Sequence, residues 1–307
     1  MKPIIGILGP TAVGKSRLAI QLAQDLKTEV ISADSMQIYK KFDVGTAKAS
    51  VEERSAVKHH MIDVVEPDAN FSSYLFKKQT QAILEDFKKR DIIPLIVGGT
   101  GFFFKNLLYQ FDFEEGSNLE EVRADLQNKK DRFGNEYLHN LLKQIDPASA
   151  EIIHINDTKK ITRALEIFYT TGQRKSEGKN EQQPLYPYVL FVLNRDRQKL
   201  YDDINKRVDI MLEQGLLEEV ENLYKTLPSD CQSLKGIGYK ELIPYFKGEC
   251  TLEQAVELIK QHSRNYAKRQ ITFYKKMDVI WLDAELSTQQ LIDQIKTAYF
   301  EKFGIKI

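Results

Sequence analysis

The sequence has few of the residues that build disulfide frameworks or metal centres. Its 307 residues include two cysteines, five histidines and one tryptophan. Cys231 and Cys250 are isolated, and neither they nor the histidines show the spacing of a metal-binding motif. Such sparse cysteine usage favours a reducing compartment. We therefore expect a cytoplasmic protein without structural disulfides.

Long hydrophobic runs and an excess of either charge are also missing. The apolar runs at 92–97 and 188–193 are long enough for strands but too short to span a membrane. A predicted strand begins almost at the N-terminus, so we expect neither a signal peptide nor a membrane partner. The 44 basic and 44 acidic residues cancel, which means that any nucleic-acid binding must come from local clusters. A monomer is expected.

The sequence does contain a complete phosphate-binding motif. Residues 9–16 fit G-x-x-x-x-G-K-[ST] at each fixed position, between an apolar run at 4–8 and a helical pattern. The glycines let backbone N–H groups point at an anion, Lys15 adds a positive charge, and Ser16 can hold Mg²⁺. The predicted polyphosphate-binding residues are Gly9, Pro10, Thr11, Ala12, Val13, Gly14, Lys15 and Ser16.

Strand and helix patterns alternate along most of the chain. Further strands are predicted at 29–34, 92–97, 188–193 and 279–282, and helices at 72–90, from 102, at 197–214 and at 251–277. This alternation is typical of an α/β fold in which helices flank a parallel sheet. The stretch between Asp34 and Ser72 is interpreted as polar and irregular.

One segment departs from this alternation. Residues 117–184 show helical periodicity without a strand candidate, and they end in a polar linker. We expect an all-helical insertion domain there, within a P-loop core formed by 1–116 and 185–307.

Three loops are expected at the carboxyl edge of the sheet, where ligands bind in such folds. They are the phosphate loop, Asp34 with Ser35, and the glycine-rich turn that contains Thr100. Asp34 could cap a turn, hold Mg²⁺ or accept a proton from a nucleophile, and its place beside the phosphate loop favours the last two roles. Thr100 either contacts a ligand or belongs to a tight turn.

Arg207 and two basic clusters each have a structural alternative. Arg207 shares the apolar stripe of the helix at 197–214, so it either binds phosphate or pairs with Asp203 at the surface. Basic clusters are usually solvated faces, but two of them in a chain that binds phosphate support a nucleic-acid track. The clusters are Lys159, Lys160 and Arg163, and Lys260, Arg264 and Lys268 with their neighbours.

Ordered motifs over nearly the whole chain resemble the bacterial tRNA dimethylallyltransferases. The matching segments are 9–16, 31–39, 43–48, 59–63, 97–101, 157–163, 235–239 and 268–272. The resemblance implies transfer of a dimethylallyl group from dimethylallyl diphosphate to N6 of the adenosine that follows the anticodon of a tRNA. It also implies that the helical insertion grips the tRNA.

The resemblance assigns roles to individual residues. The phosphate loop and Arg207 would bind the diphosphate together with Mg²⁺, and Asp34 would be the general base. Lys15, Arg207 and Thr100 would complete the catalytic centre. Residues expected to contact tRNA are Asp34, Ser35, Met36, Gln37, Thr100, Arg123, Lys159, Lys160, Ile161, Thr162, Arg163, Lys235, Gly236, Ile237, Gly238, Tyr239 and Lys240.

Other functions remain open from the residues alone. A small-molecule P-loop kinase would consume ATP and need no tRNA. An isopentenyltransferase for free adenine nucleotides would keep the alkylation, although the helical insertion argues against it. A non-enzymatic RNA-binding module would leave Lys15 and Asp34 without a role.

Overall fold

The computed structural model describes residues 1–109, 119–177 and 183–307. The chain divides into two compact units, Met1–Leu108 with Leu185–Ile307, and Tyr109–Pro184. The predicted boundary between residues 116 and 117 lies outside the described residues. Within the described ranges, no helix combines the length and the apolar character that a membrane span requires.

A parallel sheet forms the centre of the larger unit. In the described part of the chain it has six strands in the spatial order β3-β2-β4-β1-β5-β6, and every pairing is parallel. The strands are β1 (Ile4–Leu8), β2 (Val30–Ser32), β3 (His59–His60), β4 (Leu95–Gly98), β5 (Tyr188–Asn194) and β6 (Ile280–Asp283). Because β1 lies between β4 and β5, it is buried along its whole length, as its continuous apolar sequence predicts. The α/β prediction is confirmed.

Helices connect and cover these strands. In chain order they are α1 (Lys15–Asp25), α2 (Val51–Ala56), α3 (Ser73–Lys89), α4 (Gly101–Leu108), α5 (Leu119–Ile145), α6 (Pro147–Ile152), α7 (Thr158–Thr171), α8 (Arg197–Glu213), α9 (Leu216–Thr226), α10 (Ile243–Phe246), α11 (Leu252–Tyr274) and α12 (Thr288–Phe303). Local signals set several of their ends. Ser72 caps α3, and Thr251 with Gln254 forms the capping box that begins α11.

The expectation of irregular structure between Asp34 and Ser72 was wrong in part. A capping box of Ser50 and Glu53 starts the six-residue helix α2, and the two-residue strand β3 follows it. His59 of β3 aligns with Val30 of β2. Both elements are too short to show a periodic sequence pattern. Residues 59 and 60 form a strand because they pair with the edge of β2.

The smaller unit is built from α5, α6 and α7. Gly134, with φ of 79°, interrupts α5. The apolar faces of these helices form a separate core of Leu126, Leu138, Leu142, Ile161 and Leu165 with their neighbours. In its described residues this unit has helices and no strand.

Candidate active site

A cavity of about 460 Å³ opens in the larger unit where β2 and β4 end at the carboxyl edge of the sheet. The phosphate loop with the start of α1, faces of α8 and α11, and segments near residues 45–47 and 235–239 complete its walls. Its polar lining includes Thr11, Lys15, Ser16, Asp34, Ser35, Gln37, Arg207, Tyr266, Arg269 and Gln270. This is the place at which ligands bind in parallel α/β sheets.

Backbone conformation in the phosphate loop depends on glycine. Gly14 has φ of 98° and precedes α1 without capping that helix through a side chain, which leaves first-turn N–H groups to bind an anion. A Cβ atom on Gly9 would lie 2.8 Å from the carbonyl oxygen of Leu193. Lys15 reaches back across the loop, where its Nζ donates to the carbonyl of Pro10 at 2.7 Å.

Lys15, Arg207 and Asp34 interact electrostatically in the cavity. Burial lowers the pKa of Lys15 to about 7; the charge of Arg207 lowers it as well, whereas Asp34 raises it. Burial also lowers the pKa of Arg207, and Asp34 opposes that shift. The surface alternative for Arg207 is not realised, because Asp203 forms an ion pair with Arg195 instead. Two cations and one carboxylate therefore converge on one ligand space.

Asp34 begins a turn and lines the cavity at the same time. Its Oδ1 accepts a hydrogen bond from the backbone N–H of Met36 at 2.9 Å, which is the turn-forming role that short acidic side chains favour. Next to it, the N–H of Ser35 donates to Thr100 Oγ1 at 3.2 Å. Thr100 also shares a hydrogen bond with the hydroxyl of Tyr266, whose pKa burial raises to about 12. The ends of β2 and β4 are thereby tied together beside the carboxylate.

The donors in this cavity fit Mg²⁺ bound together with phosphate. The hydroxyl of Ser16 is exposed at the start of α1, and it lines the same cavity as the Asp34 carboxylate. Mg²⁺ usually takes one or two protein oxygen ligands together with substrate phosphates and water. The described residues contain no group of three or more His, Cys, Asp or Glu side chains that could hold a metal by themselves. Ser16 and Asp34 would therefore hold Mg²⁺ only together with phosphate oxygens of a bound substrate.

Sequence reasoning missed the role of α11 in holding the loops together. Gln270 Oε1 accepts from the N–H of Thr11 at 3.2 Å, and its Nε2 donates to the carbonyl of Gly99 at 2.8 Å. The hydroxyl of Tyr274 donates to the same carbonyl at 2.8 Å. Tyr266, Gln270 and Tyr274 recur every four residues, a spacing that could have identified this face.

The basic stripe of α11 is partly neutralised within the chain. Lys260 pairs with Asp209 at 2.6 Å, and Arg264 pairs with Glu257 at 3.0 Å. These two positions therefore present less positive charge than their spacing suggested.

The remaining predicted residues of the larger unit lie in the cavity, in the core or at the surface, where Gly14 and Lys240 are exposed. Residues 34–37 and 235–239 line the cavity, and Gly236 packs so closely that a Cβ there would meet Met36 Cε at 2.5 Å. Val13 is 1% exposed and belongs to the hydrophobic core. Residues that do not line the cavity themselves are Gly9, Pro10, Ala12, Val13, Gly14, Thr100 and Lys240.

In the smaller unit, one buried carboxylate holds two of the predicted tRNA-binding arginines. Glu166 accepts from Arg123 Nε and from Arg163 Nη1, both at 3.1 Å, and it joins α5 to α7 in this way. Lys160 pairs with Asp157 at 2.5 Å. Ile161 is fully buried in the core, so its side chain does not face solvent.

Known proteins match the chain over almost its whole length. A family model described as IPP transferase matches residues 37–277, and one described as Isopentenyl transferase matches residues 3–66. A tRNA dimethylallyltransferase of Bacillus pumilus is 44% identical over 285 residues, which are 92% of this chain and 90% of that protein. One of Bacillus cereus is 46% identical over 280 residues, which are 90% and 88% of the two chains.

Solved structures give the same result. A tRNA delta(2)-isopentenylpyrophosphate transferase of Staphylococcus epidermidis superposes with a TM-score of 0.72 at 42% identity and covers 98% of this chain and 100% of that one. A eukaryotic dimethylallyltransferase acting on tRNA superposes with a TM-score of 0.84 at 30% identity, over 100% of this chain and 81% of that one.

Proposed function

The chain belongs to the IPP transferase family of tRNA dimethylallyltransferases, and on that premise we propose that it transfers a dimethylallyl group from dimethylallyl diphosphate to N6 of the adenosine 3′ of the anticodon. The observation that carries the residue assignment is the convergence of Lys15, Arg207 and Asp34 on one cavity. Two cations suit a diphosphate, and a carboxylate suits an amine that must lose a proton.

The diphosphate end of the donor is assigned to the phosphate loop. The amine of adenine is a poor nucleophile because its lone pair is delocalised into the ring, so the leaving group has to be activated. Backbone N–H groups at the start of α1, Lys15 and Arg207 would stabilise the charge that develops on the departing diphosphate. Mg²⁺, held through Ser16 and the phosphates, would neutralise part of that charge.

Asp34 is assigned as the general base. The N6 lone pair forms the new bond to carbon 1 of the donor while the bond from carbon 1 to oxygen breaks and diphosphate leaves. Asp34 accepts the proton that N6 loses. General-base assistance of this kind typically contributes about 10²–10⁴-fold in rate. Thr100 would hold the adjoining backbone at Ser35, with which it already shares a hydrogen bond.

The tRNA is assigned to residues 34–37 and 235–240 of the larger unit and, in the smaller one, to Arg123, Lys159, Lys160, Thr162 and Arg163. An adenine stacked in the anticodon loop is out of reach of a cavity, so the base must leave the stack before it reacts. Arg123 and Arg163, held by Glu166, suit contacts to phosphate.

One incubation separates this function from its alternatives. The protein is mixed with dimethylallyl diphosphate labelled in its isoprenoid, Mg²⁺, unmodified tRNA and AMP, and a parallel reaction contains ATP labelled at the γ-phosphate. We expect label in the tRNA and no consumption of ATP. Label in AMP instead of tRNA would indicate an enzyme for free nucleotides, and transfer of phosphate from ATP would indicate a kinase. A Lys15→Ala variant serves as the inactive control.

A further inference from the structure

We propose that Glu219 is a positioning residue for diphosphate binding, which acts by holding the loop of residues 43–47 against the Arg207 guanidinium. The inference rests on the proposed function, since that assigns Arg207 to the diphosphate. Glu219 lies on α9, and no motif in the sequence pointed to it.

Four hydrogen-bond donors surround the Glu219 carboxylate. Its Oε2 accepts from the backbone N–H groups of Asp43 and Val44 at 2.9 and 2.8 Å. Its Oε1 accepts from the N–H of Gly45 at 3.1 Å and from the hydroxyl of Tyr239 at 2.7 Å. Hydrogen bonds to a charged group are stronger than neutral ones, by roughly a factor of two. One side chain therefore fixes three consecutive backbone groups of a loop that lies far away in sequence.

The turn between α8 and α9 brings Glu219 to this loop. Gly215, with φ of 95°, separates the end of α8 from the start of α9, and this left-handed conformation lets the chain change direction within one residue. Arg207 and Glu219 consequently lie on successive helices that both face residues 43–47. The backbone of Glu219 itself is anchored, because its N–H donates to the carbonyl of Gly215 at 3.0 Å.

The held loop forms part of the cavity wall beside Arg207. Gly45, Thr46 and Ala47 line the cavity, and the carbonyl oxygen of Thr46 lies 3.5 Å from Arg207 Nη2. Gln37 Nε2 donates to the carbonyls of Thr46 and Ala47, each at 3.3 Å. Glu219 therefore accepts hydrogen bonds from N–H groups of the loop, while Gln37 and Arg207 donate to its carbonyl groups from the cavity side. Because the loop is held from both sides, the Arg207 guanidinium that contacts it is also held in place.

Tyr239 extends this arrangement to the adjacent segment of the cavity wall, residues 235–239. A Cβ on Gly45 would lie 2.5 Å from the Tyr239 hydroxyl, so the two segments can approach this closely only because residue 45 has no side chain. Burial, and then the negative charge of Glu219, raises the pKa of Tyr239 well above its usual value. The hydroxyl therefore stays protonated and donates to Glu219. Removing the Glu219 carboxylate would therefore break the hydrogen bonds that hold both the 43–45 backbone and the Tyr239 side chain.

The chemistry of the site distinguishes a carboxylate from an amide. Three of the four partners are backbone N–H groups, which cannot accept, so the NH₂ group of a glutamine would lose at least one of these hydrogen bonds in either orientation of the amide. We expect Glu219→Gln to weaken binding of inorganic diphosphate with Mg²⁺ by about tenfold in calorimetry, and Glu219→Ala, which removes both acceptor oxygens, to weaken it at least as much. Glu221→Gln is the matched control, because Glu221 lies on the same helix and pairs at the surface with Lys225.

A double-mutant cycle separates positioning from general loss of structure. If Glu219 acts through Arg207, adding Glu219→Gln to Arg207→Ala should change the dissociation constant by less than about twofold. Additive losses in the cycle, or unchanged binding in Glu219→Gln, would overturn the inference. Tyr239→Phe removes one donor and keeps the carboxylate, so it supplies a milder variant if Glu219→Gln fails to fold. We expect a smaller loss of diphosphate affinity in Tyr239→Phe, and no further loss when Tyr239→Phe is added to Arg207→Ala.

The proposed function is tested separately, by a labelling reaction with the parent protein. The parent must label tRNA from labelled dimethylallyl diphosphate. Failure to do so would overturn the proposed function, whereas normal labelling with an additive cycle would overturn the role of Glu219 alone.

Discussion

Lys15 and Arg207 bring two positive charges into one cavity, and the charge of Arg207 contributes to lowering the pKa of Lys15 to about 7. Burial is the larger cause of that shift, and the Asp34 carboxylate opposes it. Asp34 supplies one negative charge for these two cations, and an incoming diphosphate adds further negative charge beside them. Binding should therefore raise the pKa of Lys15 and draw a proton from solution at pH values between about 7 and the higher pKa of the complex.

Affinity for diphosphate should consequently decrease at alkaline pH. Of the two forms of Lys15 only the ammonium attracts phosphate, so the dissociation constant of inorganic diphosphate should rise above pH 7, by at most about tenfold per pH unit. Calorimetry in buffers of different ionisation enthalpy would measure the proton uptake. Lys15→Arg is the control, because its guanidinium stays charged over this pH range. Any pH dependence of binding that remains in this variant comes from protonation of diphosphate itself. Identical pH profiles for the parent and the variant would contradict the prediction.

Replacing Asp34 by asparagine should affect the chemical step more than the binding of tRNA. An amide cannot take the proton from N6, whereas it can still accept the hydrogen bond that the Met36 N–H donates to Asp34. We expect the single-turnover rate to fall by about 10²–10⁴-fold while the dissociation constant of tRNA changes little. An unchanged single-turnover rate would exclude Asp34 as the base.

Changing Gln270 to glutamate should destabilise the protein. The new carboxylate could still accept from the N–H of Thr11, but it would face the carbonyl of Gly99 without a proton to donate. Because the site is buried, the expected loss in the free energy of unfolding is about 1–3 kcal/mol in urea denaturation. Gln261→Glu on the exposed face of α11 is the control, and an equal effect of both changes would refute the bridging role.

Neutralising Glu166 should weaken tRNA binding although it removes a negative charge. General electrostatics predicts that a polyanion binds more tightly once an acidic group is gone. If Glu166 orients Arg123 and Arg163, Glu166→Gln should instead raise the dissociation constant of tRNA by about threefold to tenfold. Glu151→Gln, at an exposed position of the same unit, should leave binding unchanged or tighten it. Tighter binding in both variants would show that Glu166 has no orienting role.

Much of the larger unit could be predicted because its signals are local. The glycines and Lys15 of the phosphate loop, the cap at Ser72 and the capping box at Thr251 each act within a few residues. Contiguous apolar runs marked the buried strands for the same reason. The strand at His59–His60 could not be found this way, because two residues become a strand only when another strand lies alongside them.

The sequence by itself determined where a polyphosphate could bind and that Asp34 would stand near it, since strand ends in a parallel sheet share one edge. Only the tertiary structure decided whether Arg207 faced the cavity or the surface, because that depended on Asp203 taking Arg195 as its partner. It also decided that Glu219 holds Asp43, Val44 and Gly45 from more than 170 positions away. A carboxylate surrounded by donors leaves no periodic pattern along the chain, and only folding brings those donors to it.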